Sequence, residues 1–197
     1  MNPTASLRIS IPPNQLALTA ALDNPRVLSS YIPEPSGAEL SPEPGQRRAP
    51  TPSPAPPASL LRPRLLLGGA AATAPAFLAA HGVTHVLNCL GPSHEAPGGH
   101  ATLSLALADC ETQRIDFAPA LAFLRNALQD PGAVVLLHCW AGVSRSAAVA
   151  AAHLMATEGL RMEEALAQVR AARPRAAPNA AFLAQLVELE AALWGPA

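Results

Sequence analysis

The chain has 197 residues, of which half are hydrophobic and only 14% are charged, and its formal net charge is −1. That length suggests one domain, or one domain with a tail. All 13 basic residues are arginines, and their balance against 14 acidic ones excludes a nucleic-acid binder driven by overall positive charge, which needs clustered cations against phosphate.

The N-terminus, Met1-Asn2-Pro3, lacks the basic-then-apolar layout of a secretory signal, and Asn2 stands where N-myristoylation requires glycine. Fourteen of the 22 prolines fall in residues 1–63, and residues 33–57 are rich in Pro, Ser, Ala and Glu. Such a stretch cannot bury enough surface to offset its ordering entropy, so residues 1–59 are expected to form a disordered tail. Residues 15–22 suit at most a marginal helix. Ser41-Pro42, Thr51-Pro52 and Ser53-Pro54 could accept phosphate from proline-directed kinases, although a solvated linker is the favoured reading. Regulatory contacts made through this tail are its partner expectation.

A folded domain is expected over residues 60–195. Residues 64–67 read as a strand ended by Gly68-Gly69, followed by a helix over 73–80. Residues 83–87 form a β-branched strand ending at Asn88, and 101–107 a third strand. Over 116–128 apolar residues recur at helical spacing (Phe117, Leu121, Leu124, Leu128) until Pro131-Gly132 stops them. The continuous apolar run 133–137 suits a buried central strand. Helices follow over 145–157, 162–171 and 179–194, the last with Asn179 as N-cap and a core stripe of Leu183, Leu186, Leu189 and Leu193. This alternation predicts an α/β fold with a central, mostly parallel sheet flanked by helices. Three cysteines (Cys89, Cys110, Cys139) without framework spacing, and no apolar run near the roughly 20 residues of a membrane span, predict a reducing intracellular setting without stable membrane association.

Residues 138–146 read His-Cys-Trp-Ala-Gly-Val-Ser-Arg-Ser and join the central strand to a helix. A loop that leaves a strand and enters a helix N-terminus aims successive backbone N–H groups at one point, where the helix dipole is positive. Gly142 permits the backbone to curl around a tetrahedral oxyanion. Arg145 supplies a planar cationic fork for two phosphate oxygens. Cys139 opens the loop, so the field that attracts phosphate also stabilises its thiolate. The segment thus joins a nucleophile to an anion cradle. The remaining histidines show no ligand spacing, so neither metal nor other cofactor is expected.

This segment resembles the HCxxGxxRS signature of cysteine-dependent protein phosphatases, in the HCxAGxSRS form of dual-specificity phosphatases. The similarity extends over about residues 60–193: Leu66-Leu67-Gly68 and residues 83–88 resemble the family's opening strands, and Arg173-Pro174, Pro178-Asn179 and Phe182 its C-terminal helix entry. Ala181 stands where the family carries glycine. The first 60 residues are too few for a rhodanese-like kinase-docking domain, which implies the small, atypical branch. The resemblance implies a protein tyrosine phosphatase-like fold and hydrolysis of phosphotyrosine and phosphoserine/threonine in protein substrates through a phosphocysteine. Cys139 would be the nucleophile; Trp140, Ala141, Gly142, Val143, Ser144 and Arg145 would bind the phosphoryl group.

The family also uses an aspartic acid about 30 positions before the cysteine as general acid. Asp109 fits that place, while Asp116 competes but begins a helix, where a carboxylate is expected anyway. Ser146 would stabilise the returning thiolate, His138 would orient the loop through hydrogen bonds, and Asn88 would either brace it or serve as a simple turn asparagine. Cys89 could approach Cys139 if their strands are neighbours, and a peroxide-driven disulfide then competes with the favoured reading of an inert buried cysteine. Trp140 and Val143 occupy positions where phosphoinositide phosphatases of the superfamily carry basic residues, which disfavours inositol head groups. Trp140 suggests a hydrophobic rim. The sole tyrosine is Tyr31, in the tail, so a shallow cleft is expected. The expected location is the cytoplasm, with the nucleus as a second one. The alternative is a catalytically weak phosphoprotein-binding scaffold of the same fold.

Overall fold

Three apolar runs make the middle of the sheet. Leu65, Leu67, Val86, Leu87, Val135, Leu136 and Leu137 are wholly buried, as parallel strands covered on both faces require. The structure is a computed structural model that describes residues 56–195. The remainder of the expected tail, with the 15–22 helix and the three Ser/Thr-Pro sites, lies outside the described residues.

The strands are β1 (Ala58–Arg62), β2 (Leu65–Gly68), β3 (His85–Asn88), β4 (Ala101–Ser104) and β5 (Val135–His138). They lie in the order β1-β2-β5-β3-β4, with β1 antiparallel to β2 and the other pairings parallel. The sheet is therefore mixed, with the expected parallel core and β5 at its centre. Helices α1 (Pro75–Ala80), α2 (Phe117–Gln129), α3 (Arg145–Glu158), α4 (Met162–Ala172) and α5 (Ala180–Trp194) cover it. Strand alternation divides the core. Leu66, Val86 and Leu136 pack with Leu78 of α1 on one face. Leu65, Leu67, Val135 and Leu137 meet α2–α5 on the other.

Strand β1 was not among the expected elements, and it begins at Ala58. Its sequence gives a weak signal because, of its two leucines, Leu61 is buried and Leu60 is 63% exposed, as on an edge strand behind a proline run. The hairpin closes at Pro63-Arg64 with Arg64 at φ 68°. Gly69 N–H donates to the Pro57 carbonyl at 2.9 Å, which ties the strand entry down. Strand β4 ends at Ser104 instead of 107, because residues 105–107 peel away: Leu105 N–H donates to the Asn88 carbonyl and Ala106 bridges antiparallel to Leu90.

Helix α3 is buried from Ser146 to Met155. Its alanines let the sheet and the neighbouring helices approach closely all round. Asn179 caps α5, accepting from Phe182 N–H at 2.9 Å, as its position after Pro178 predicts. In the leucine stripe of α5, Leu186 is fully buried, whereas Leu193 is 41% exposed because the helix outruns the core.

Candidate active site

The register brings three parallel strand ends to one line: Gly68 of β2 and Asn88 of β3 both flank His138 of β5. Beyond them lies the crevice at the carboxyl ends of the strands, where open α/β sheets present their ligand sites. The loop 139–144 crosses this crevice and enters α3.

Its conformation is set by where its carbonyls go. Trp140 O accepts from Ala70 N–H at 2.9 Å and Val143 O from Ala177 N–H at 2.8 Å. Between them, Arg173 donates through Nε to Gly142 O at 2.7 Å and through a terminal nitrogen to Ala141 O at 2.9 Å. Its other terminal nitrogen donates to Pro56 O at 3.2 Å. In a trans peptide the carbonyl and the following N–H point opposite ways. Drawing the Ala141 and Gly142 carbonyls outward therefore turns the Gly142 and Val143 N–H groups inward. Gly142 sits at φ 67°, and a Cβ there would lie 2.5 Å from the Gly68 carbonyl oxygen and 2.8 Å from Arg173 Nε. Only glycine fits.

The inward groups surround sulfur. Cys139 is buried, and its Sγ accepts from Gly142 N–H at 3.3 Å and from Ser146 Oγ at 3.2 Å. Burial pushes the thiol up, but the Ser146 hydroxyl and the N–H groups of Ser146, Val143 and Gly142 together outweigh it and hold Cys139 below the ordinary thiol range. The neighbouring strand contributes Cys89, whose N–H donates to the His138 carbonyl at 2.9 Å. The two cysteine-bearing strands are thus adjacent, as a close approach requires. Cys89 is fully buried and its thiol is pushed up, first by burial and then by the facing Cys139.

Arg145 lies across the mouth. It donates to the Leu107 carbonyl at 3.2 Å, and its Nε stands 3.6 Å from Asp109 Oδ2. Asp109 Oδ1 accepts from Ser144 Oγ at 2.7 Å and Asn179 Nδ2 at 2.9 Å. The rival carboxylate, Asp116, caps α2 by accepting from Ala118 N–H at 3.1 Å. Geometry therefore brings Asp109 to the loop and employs Asp116 elsewhere. Trp140 is 64% exposed beside the loop, edge-on to His94 with ring centroids 6.0 Å apart, which matches a hydrophobic rim. Ala141 and Val143 are half-buried.

The two supporting residues are both buried, and one of them departs from expectation. Neither ring nitrogen of buried His138 makes a hydrogen bond of ordinary geometry among the described residues, and burial pushes its pKa down. Asn88 braces its own β3–β4 connection: Nδ2 donates to Gly91 O at 2.8 Å, and Oδ1 accepts from Leu90 N–H at 2.8 Å. Its side chain serves a turn. Sequence reasoning assigned no site role to Arg173, Asn179 or Gln185. Gln185 accepts from Ile115 N–H at 2.7 Å and donates to Gln113 O at 2.9 Å, which ties the Asp109 loop to α5. A glutamine among the apolar positions of α5 was the available signal.

Comparison with known proteins agrees with this geometry. The family model "Dual specificity phosphatase, catalytic domain" matches residues 65–192. The chain is 40% identical over 158 residues to Dual specificity phosphatase 28 of Homo sapiens, covering 77% of this chain and 87% of that protein. The crystal structure of human DUSP28 superposes with a TM-score of 0.64 at 36% identity, over 73% of this chain and 98% of that one. The crystal structure of human tyrosine phosphatase-like serine/threonine/tyrosine-interacting protein gives 0.62 at 32% identity, over 68% and 95%. Signature loop, sheet order and these similarities coincide, and the chain belongs to the dual specificity phosphatases, as an atypical member of the cysteine-dependent protein tyrosine phosphatase superfamily.

Proposed function

We propose that this phosphatase hydrolyses both phosphotyrosine and phosphoserine/threonine in protein substrates, through a phosphocysteine on Cys139. The observation that carries the reading is the hydrogen-bonded sulfur, which accepts from Gly142 N–H and Ser146 Oγ at the N-terminus of α3. A thiolate so placed attacks phosphorus in line, while the loop N–H groups and Arg145 hold the non-bridging oxygens. The S–P bond forms, the P–O bond breaks, and its electron pair leaves on the substrate oxygen with a proton from Asp109. Water then attacks phosphorus, Asp109 takes up its proton, and inorganic phosphate departs as the thiolate returns to Ser146 Oγ.

Acceptance of both phosphate types is supported by a rim without a folded-domain tyrosine, with Trp140 exposed at its edge. The test is turnover of an aryl phosphate, a phosphotyrosyl peptide and a phosphoseryl peptide. The parent protein should hydrolyse all three, and Cys139→Ser none. Asp109→Ala should lower peptide turnover by roughly 10²–10⁴-fold. Hydrolysis that survives Cys139→Ser contradicts the reading. The second reading, a phosphoprotein-binding scaffold, is favoured by the likeness to a phosphatase-like interacting protein. Binding of phosphopeptides without turnover by the parent protein would establish it instead.

A further inference from the structure

Asn179 and Ser144 reach the chemistry through Asp109. Asn179 Oδ1 accepts the Phe182 N–H at the start of α5. A backbone N–H can only donate, so the orientation of the amide is settled and Nδ2 faces away from the helix. There it donates to Asp109 Oδ1 at 2.9 Å. The backbone N–H of the same Asn179 donates to Ser144 Oγ at 3.2 Å. The serine hydroxyl has a single proton, and it points to Asp109 Oδ1 at 2.7 Å. Two donors thus converge on one carboxyl oxygen.

A carboxylic acid carries its proton on one oxygen and accepts best on the other. Oδ1, already accepting an N–H and an O–H, is the acceptor oxygen. The proton of the neutral acid therefore resides on Oδ2, the oxygen 3.6 Å from Arg145 Nε. The loop that bears Asp109 is tied to α5 a second time by Gln185, and a third time by Arg114, which pairs with Glu188 at 2.6 Å. The helix that supplies the latch also carries the loop to be latched.

We propose that Asn179 and Ser144 are positioning residues for the general acid: they hold Asp109 Oδ1 as acceptor and so place the transferable proton on Oδ2, facing the departing oxygen. This rests on the reading of Asp109 given under the proposed function. In the first step the Oδ2–H bond breaks as the P–O bond does, and the leaving oxygen takes the proton.

The test compares two aryl phosphates, one with an activated nitrophenol leaving group and one with unsubstituted phenol. An activated phenolate departs with little help, whereas phenolate needs the proton. The ratio of kcat/KM for activated over unactivated ester therefore reads acid catalysis and cancels any uniform loss of folded enzyme. Asp109→Ala sets the ceiling. Asn179→Ser keeps an oxygen for the α5 cap and loses the reaching donor, while Ser144→Ala removes the other donor. Each is expected to raise the ratio roughly tenfold, toward the value for Asp109→Ala. A ratio unchanged in both, while Asp109→Ala raises it, overturns the latch and leaves the acid assignment standing. A ratio unchanged in Asp109→Ala overturns both.

Discussion

At Cys139 two opposing effects meet. Burial resists a charged sulfur, and the Ser146 hydroxyl with the N–H groups of Ser146, Val143 and Gly142 reverses the balance. The Ser146 hydroxyl heads the lowering group, so its removal has a definite sign. Because the thiolate is the attacking form, activity is present above the thiol pKa and fails as pH falls through it. Ser146→Ala raises that pKa, and the acidic limb of kcat/KM against pH should move upward. At a pH on the falling limb, turnover should drop about tenfold, in keeping with the ~1.5–3 kcal/mol of a hydrogen bond to a charged group. An unchanged limb, followed with an aryl phosphate and by iodoacetamide alkylation, would contradict this account of the sulfur. Cys139, Gly142 and Arg145 could be read from the sequence because their cooperation is local: a strand, a tight loop and a helix start within nine residues. Asp109 was legible only through resemblance. Arg173 and Asn179 were not legible as site residues, since their partners lie 31 and 70 positions away and no periodicity encodes such distant pairing.

Helix α3 presents the loop, and its buried residues are mostly alanine. Small side chains could leave gaps open to solvent, but Ala147, Ala148, Ala150, Ala151 and Ala152 are each wholly buried, with neighbours on every side of the helix. Adding methylenes to a filled interior costs about 1–3 kcal/mol. Ala150→Leu should lower the urea midpoint by a corresponding amount at constant m-value. Ala156→Leu, at an exposed position of the same helix, should stay within about 0.5 kcal/mol of the parent. Equal effects of the two would contradict the tight interior. At this scale the apolar runs of β2, β3 and β5 and the helical periods of α2 and α5 were plain in the sequence, because burial on both faces leaves a continuous run and burial on one leaves a period. Strand β1 was hidden because an edge strand buries little, and the end of β4 was misjudged because residues 105–107 remain apolar after the ladder stops.

Across the whole molecule, the fold converges on one sulfur. Strand β5 delivers Cys139 and α3 turns its N-terminus toward it. The Arg173 guanidinium, just past the end of α4, pulls the loop carbonyls outward, and α5 holds the Asp109 loop above. The net charge of −1 gives no general attraction for phosphate, so under the proposed function anion binding rests on these local dipoles and on Arg145. The proposed mechanism separates two steps, because an activated aryl phosphate needs little acid to transfer its phosphoryl group, whereas water would need Asp109 as base to remove it. In Asp109→Ala, mixed with such an ester and quenched in acid, a covalent phosphoryl group should therefore accumulate, map to the peptide containing Cys139, and be missing from the Asp109→Ala, Cys139→Ser double variant. Turnover with the phosphoryl group on another residue, or with no covalent species at any quench time, would contradict the account.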